Sequence, residues 1–337
     1  MSKISESFLQ REKAILAPYA FFTANTRGRQ LPIPPCPNRT DFQRDRDRII
    51  HSKSFRRLMH KTQVFFSPVD EHYRTRLTHT LEVTQIARVM ARALRLNEDL
   101  TEAIAMGHDL GHTPFGHAGE DALRKCFDSG FSHNEQSLRV VDLLESEGAG
   151  LNLTYEVRDG ILHHTGNGQA STLEGTLVKY ADRFAYINHD IDDARRAGIL
   201  TLDDIPADIL DVLGREHSER INTMVTALVS ESDGKPEICF TGEVADATSR
   251  LRTFLFEHVY RNSAAKAEEE KAKNLLITLY EYYLEHPREM PELYQSRIES
   301  EGAARCVCDY IAGMTDRYAI RTYEKLFVPE VWRGGNV

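Results

Sequence analysis

From Asp41 onward the apolar positions recur at a spacing near 3.6 residues, the pattern of helices that bury one face. Ile49, Ile50, Phe55, Leu58 and Met59 predict a helix from Asp41 through His60. Thr62–Val69 is short, apolar and ended by Pro68, a brief strand or loop ahead of a helix over Arg76–Leu96. Asn97 is a suitable N-cap for a helix over Glu98–His108, which Gly111 closes. Pro114 suits the start of another helix running to Phe127. Further helices are expected at about 133–146, 155–163, 172–196 and 205–229. Ser230–Glu243 breaks the pattern, with Asp233, Gly234 and Pro236 as turn signals and room for a small hairpin. Helices resume after it, and Ala264–Lys273 reads as a solvated, charged helix face. Ahead of Asp41, an amphipathic stretch leads into a proline-rich connector, Leu31–Pro37. The expected fold class is therefore all-α with at most a small β-hairpin. It divides into an arm (1–40), a helical core (41–200) and a C-terminal helical region (201–337) packed on that core.

Composition narrows the class without naming a chemistry. The chain has 337 residues, 41% hydrophobic and 28% charged, which is globular and leaves little room for extended disorder. No run of about 18 apolar residues occurs, and Met1–Leu16 lacks an apolar signal core, so no membrane contact and a cytoplasmic location are expected. The five cysteines include no CxxC pair, which points away from a disulfide framework or a thiolate zinc site. A net charge of -9 argues against nonspecific coating of polyanions. Positive charge nevertheless concentrates between Arg39 and Arg76, which suits either a small polyphosphate or a solvated helix face.

All of the 14 histidines except His217, His258 and His286 lie between His51 and His189. Three features give this clustering direction: His79 within a helix, an adjacent His108-Asp109 pair at a helix end, and Asp182 on an inward helical face. Adjacent helical residues point about 100° apart, so His108 and Asp109 can share one ion only where their helix is ending. Gly111 supplies that ending. Two imidazoles and two carboxylates suit a divalent ion such as Mn, Mg, Fe, Ni, Co or Zn, with coordination positions left for water and a phosphate oxygen. A buried capping pair is the competing explanation for His108 and Asp109. Downstream, His117 and Glu120 sit three residues apart and can hydrogen-bond, an arrangement that tunes a histidine for general acid or base work. Tyr186 and Asp190 follow Asp182 at i+4 and i+8, on the same helical stripe, with Arg183 beside it. Tyr186 could equally be a core aromatic, and Asp190 a surface acid.

The order His79, His108-Asp109, Asp182 resembles the H…HD…D signature of HD-domain phosphohydrolases. Three longer strings, Arg44–Arg57, Gly107–Glu120 and Asp309–Tyr318, resemble the deoxyguanosinetriphosphate triphosphohydrolase (dGTPase) family, and the similarity spans most of the chain. The resemblance implies an HD-domain helical bundle that cleaves a deoxynucleoside triphosphate to the deoxynucleoside and inorganic triphosphate. It implies metal ligands His79, His108, Asp109 and Asp182, with His117 and Glu120 handling the proton. Water activated at the metal would attack the α phosphorus while His117 protonates the departing 5′ oxygen. His112 and His133 would approach the α phosphate, Arg76 and Arg183 would neutralise the phosphates, and Gln63 with Asp190 would meet the 3′ hydroxyl. Tyr186 would pack under the deoxyribose, where a 2′ hydroxyl would be buried without a partner. The resemblance further implies a homo-oligomer, hexamer or tetramer, with a nucleotide effector or single-stranded DNA as further partners. Two alternatives remain at this stage: an HD phosphohydrolase with another nucleotide substrate, of 5′-nucleotidase or phosphodiesterase type, and a nucleotide-sensing or single-stranded-DNA-binding protein.

Overall fold

The computed structural model describes residues 3–63, 74–128, 130–259 and 263–329. Among them are seventeen α-helices and no sheet, the two isolated bridges being Arg29 with Thr154 and Thr62 with Thr75. The expected strand or loop over Thr62–Val69 falls mostly outside the described residues.

Helix starts follow capping side chains closely. Thr40 forms a capping box with Gln43, Asn97 accepts from the Leu100 amide, and Thr172 accepts from the Gly175 amide. The same physics corrects the expected single helix over 41–60. Ser52 accepts from the Phe55 amide, so the helix Asp41–Ile50 stops and a short helix, Lys53–Arg57, restarts before a 3-10 turn at Leu58–His60. The break lets Ile49, Phe55 and Leu58 enter one core together.

Other boundaries shift for equally local reasons. The helix expected at Pro114 begins at Gly116, because Phe115 first adopts a left-handed conformation with φ of 61°. The helix from His133 is α-helical to Arg139 and widens into a π turn over Val140–Leu144. Gly214, at φ of 101°, divides the expected 205–229 helix into Ala207–Leu213 and His217–Ser232. No hairpin forms between Ser230 and Glu243. The Ser232 hydroxyl instead bonds the Cys239 amide at 2.8 Å and its carbonyl at 3.1 Å, closing an irregular loop before the helix Gly242–His258.

Two apolar clusters organise the helices. In the first, helix Arg76–Ala93 packs on Leu173–Arg196 and on Glu98–Gly107, with Asp41–Ile50 and Tyr155–His163 against the same group. The helices between Ala207 and His258 extend this cluster. In the second, helix Gly116–Cys126 packs against Ser263–Glu285, which also contacts Ala303–Ala312 and Asp316–Phe327. The turn after His108 runs between them, since Leu110 belongs to the first cluster and Phe115 to the second.

That turn approaches its neighbour as closely as backbone can. A Cβ on Gly111 would lie 2.1 Å from the Ser137 amide nitrogen and 2.6 Å from the His133 carbonyl oxygen, both main-chain atoms that cannot rotate away. Gly111→Ala is expected to destabilise the protein by about 3 kcal/mol, the upper range for overpacking, read as a lowered urea midpoint at unchanged slope.

Candidate metal centre

Four elements deliver the histidine-aspartate group. Helix Arg76–Ala93 buries His79, the end of Glu98–Gly107 carries His108 and Asp109, and helix Leu173–Arg196 brings Asp182. The helix beginning at His133 supplies the wall opposite. Asp182 Oδ1 lies 3.1 Å from His79 Nε2 and 3.8 Å from His108 Nε2. Asp109 Oδ1 is 3.4 Å from His108 Nε2, and its Oδ2 is 4.0 Å from His79 Nε2. Ligand atoms about 2.1 Å from a shared ion lie about 3 to 3.5 Å from one another, so the group is close to ligating geometry.

The hydrogen bonds aim the same lone pairs inward. His108 Nδ1 meets the Ala105 carbonyl at 2.6 Å, which places its proton there and leaves Nε2 buried without a partner. His79 Nδ1 lies 3.5 Å from His189 Nδ1, and His189 Nε2 lies 2.9 Å from Glu82 Oε2. A ligand imidazole backed by a second ring and a carboxylate is the usual orienting arrangement around bound metals. The donor set therefore fits a divalent ion. Asp109 also forms a second ligand-like group with His112 and His133.

Charge compensation is dense. Burial alone would raise the Asp109 carboxyl, but His108, His112, Arg76 and His79 outweigh it and hold the group well below the usual carboxylate range. Arg76, itself buried, donates to Asp109 Oδ2 at 2.9 Å. Asp182 behaves alike: burial opposes ionisation, yet the His79 hydrogen bond and the charge of His108 bring it to about 2. His164 and His189 are lowered too, but chiefly by burial, which disfavours their charged form, to about 3 and about 4.

The expected proton-handling pair is arranged differently from the sequence reading. Glu120 hydrogen-bonds His133 Nδ1 at 3.1 Å, the His133 amide at 3.2 Å and Arg124 at 3.1 Å. His117 keeps an accessible surface yet is surrounded by protein on its other sides, and burial lowers its imidazole while Glu120, within electrostatic reach, opposes the shift. Spacing along one helix put His117 and Glu120 on one face, but the incoming helix at Ser132–His133 offers both an amide and a ring to the carboxylate. His133 stacks on His112 with ring centroids 4.0 Å apart, and His112 Nε2 lies 3.3 Å from Asp109 Oδ1.

The remaining expected residues surround this group in part. Asp190 is buried, its carboxyl raised well above normal by burial and by Asp193 and Asp182, and its Oδ1 has no partner. Gln63 Oε1 is likewise buried and unpartnered, while its carbonyl lies 3.5 Å from Arg76 Nη2. Tyr186 is pushed up to about 12, chiefly by burial, within electrostatic range of Arg252, Asp182, Arg183 and Asp190. Arg183 lies against the Tyr180 ring and, with Arg252 and Phe240, lines a cavity of about 120 Å³.

Further side chains complete the surroundings. His164 is buried, with Nε2 3.2 Å from His133 Nε2, whereas adjacent His163 turns away to Asp159. His189, at i+7 from Asp182, and Glu82, at i+3 from His79, were open to discovery from helical periodicity. Arg252, on helix Gly242–His258, carries no local signal; only packing brings it beside Arg183 and within electrostatic range of Tyr186.

Residues 76–187 match the HD domain family and residues 238–325 the phosphohydrolase-associated domain. A deoxyguanosinetriphosphate triphosphohydrolase-like protein of Caldanaerobacter subterraneus subsp. tengcongensis is 56% identical, covering 99% of each chain. One so named from Desulfatibacillum aliphaticivorans is 50% identical over 97% of this chain and 98% of its own. Among solved structures, a phosphohydrolase from Bacteroides thetaiotaomicron shares the fold, with a TM-score of 0.53 at 19% identity, covering 84% of this chain and 68% of that one. A hypothetical protein from Aquifex aeolicus is similar at a TM-score of 0.50 and 18% identity, covering 86% and 69%. The chain is a member of the deoxyguanosinetriphosphate triphosphohydrolase-like family of HD-domain phosphohydrolases.

Proposed function

We propose that the protein hydrolyses deoxynucleoside triphosphates to the deoxynucleoside and inorganic triphosphate, with a divalent cation held by His79, His108, Asp109 and Asp182. The observation that carries this reading is the convergence of those four side chains, with His108 Nε2 aimed inward and unpartnered. The names of the relatives given above, 50–56% identical over nearly the full chain, support the substrate class. When bound, the cation provides Lewis-acid stabilisation of charge developing on the phosphate.

The protein's own groups do the rest. Arg76, fixed by Asp109, presents cationic charge to the α phosphate, and His112 and His133 form a stacked wall beside it. Arg183 and Arg252 receive the outer phosphates. The unpartnered Gln63 Oε1 and Asp190 Oδ1 await the 3′ hydroxyl, and burial raises the Asp190 carboxyl well above its ordinary range. Tyr186 closes against the sugar. His117, at the solvent rim near Glu120, gives its proton to the departing 5′ oxygen as water adds to the α phosphorus.

Incubation of each deoxynucleotide, alone and mixed, with Mn or Mg should release inorganic triphosphate and a deoxynucleoside on chromatography. Orthophosphate, pyrophosphate or a nucleoside monophosphate as product would favour a different HD phosphohydrolase, and tight binding without turnover a sensor.

His117→Ala should lower kcat by at least about 100-fold while bound manganese, measured by metal analysis, is retained. Asp109→Ala should lose both metal and activity. It also strands the buried Arg76 guanidinium, so urea unfolding of the metal-free variant should show a loss of about 3 to 5 kcal/mol.

The metal-free protein should weaken on acidification in two stages. His164 and His189 have folded values of about 3 and about 4, below the ordinary 6.5, so the unfolded chain binds more protons once pH falls below 6.5. Asp182 and Glu120, each held at about 2, add a second loss as pH drops from their ordinary values of 3.8 and 4.5 towards 2. Urea midpoints measured from pH 7 to pH 3 should fall throughout, and saturating manganese should raise the midpoint at pH 7. A flat profile would contradict the buried, neutral histidines.

A further inference from the structure

The turn His112–His117 is held by groups from the far end of the chain. Asp316 is buried, and its Oδ1 accepts from the Phe115 amide at 3.0 Å. Its Oδ2 accepts from the Thr62 amide at 2.9 Å and from the Thr62 hydroxyl in a short contact. Asp316 opens the helix Asp316–Phe327, yet Thr315 performs the capping by accepting from the Tyr318 amide. The Asp316 carboxylate is thereby committed to tertiary contacts.

Lys61 makes the reciprocal link. Its buried ammonium donates to the Ala312 carbonyl at 2.8 Å and, in a short contact, to the His112 carbonyl. Arg57 adds a bond to the Gly313 carbonyl at 3.2 Å. Both ends of the turn are thus tied to residues 312–316, His112 through Lys61 and Phe115 through Asp316.

The turn needs such a tie. Phe115 sits at φ of 61°, which costs a residue with a side chain about 1 kcal/mol or more and persists only where surroundings impose it. At the next residue, a Cβ on Gly116 would meet the Gln63 carbonyl at 3.1 Å and Arg76 Nη2 at 3.3 Å. The seating of Phe115 and Gly116 therefore sets how closely the histidine-bearing turn approaches Arg76 and Gln63.

We propose that Asp316 and Lys61 are positioning residues through which the C-terminal helices hold the His112–His117 turn in its reactive geometry. The idea rests on the proposed function for what the turn does, but not for how it is held. In a positioning role the bonds fix where His112 and His117 stand relative to the phosphate, so their loss acts on turnover more than on binding.

Asp316→Asn keeps the shape and replaces one accepting oxygen with an NH₂ group. Three measurements on the full chain test it: hydrogen exchange of the 112–117 segment, kcat and KM with manganese, and thermal midpoint. Exchange should accelerate about tenfold or more, as for loss of a buried hydrogen bond, and kcat should fall about 100-fold with KM and manganese affinity nearly unchanged. Unchanged exchange would overturn the proposal. So would faster exchange or a lower midpoint with wild-type kcat, which would make the contact merely structural. Should Asp316→Asn fail to fold, Thr62→Val removes one donor and should give the same signature more weakly, with Thr62→Ser restoring kcat; equal kcat in the two variants would sink the idea. Should the wild type hydrolyse no deoxynucleotide, the proposed function fails, while the exchange measurement still decides whether Asp316 holds the turn.

Discussion

A carboxylate buried against a guanidinium and two imidazoles is the constraint on which the rest of this structure turns. Asp109 has Arg76 at 2.9 Å, His112 at 3.3 Å and His108 at 3.4 Å, all inside the protein. None of these groups could be buried alone without a large desolvation cost, so each makes the others admissible. The helices that meet here are consequently fixed by charge as well as by apolar packing. Arg76 begins one, Asp109 ends another, and Asp182 on a third faces both histidines.

Around that nucleus the polar groups form layers with different tasks. The inner nitrogen and oxygen atoms point at one another across distances suited to an intervening ion, and their outer atoms are occupied by Ala105, His189 and Glu82. Beyond them, Glu120, His133 and His164 make a second chain of contacts along the opposite wall. Several of the buried atoms left without partners, His108 Nε2, His112 Nδ1, Gln63 Oε1 and Asp190 Oδ1, belong to this same group of residues. Native interiors rarely tolerate several unsatisfied atoms together unless function requires them.

The site also joins two apolar clusters. One carries the histidine-aspartate group, and the other carries the helix that follows the His112–His117 turn together with the C-terminal helices. A turn at such a junction inherits its position from both sides. This accounts for a buried lysine and a buried aspartate bridging the clusters where apolar residues would otherwise suffice.

Much of this was legible in the chain itself. Apolar periodicity gave the all-helical class, and Thr40, Asn97 and Thr172 marked helix starts, because capping and amphipathicity depend on residues within a turn or two of one another. The His108-Asp109 pair before Gly111 was conspicuous for the same reason. Local rules also fell short: spacing paired Glu120 with His117 but could not show its hydrogen bond to His133, and regular periodicity ran through the breaks at Ser52 and Gly214. Which imidazole Glu120 engages, why His164 turns inward and His163 outward, how Arg252 comes within range of Tyr186, and what seats Phe115 were decided only when distant helices packed. Those choices rest on contacts between segments tens to hundreds of residues apart, selected by the shape left between helices and by the need to pair every buried charge.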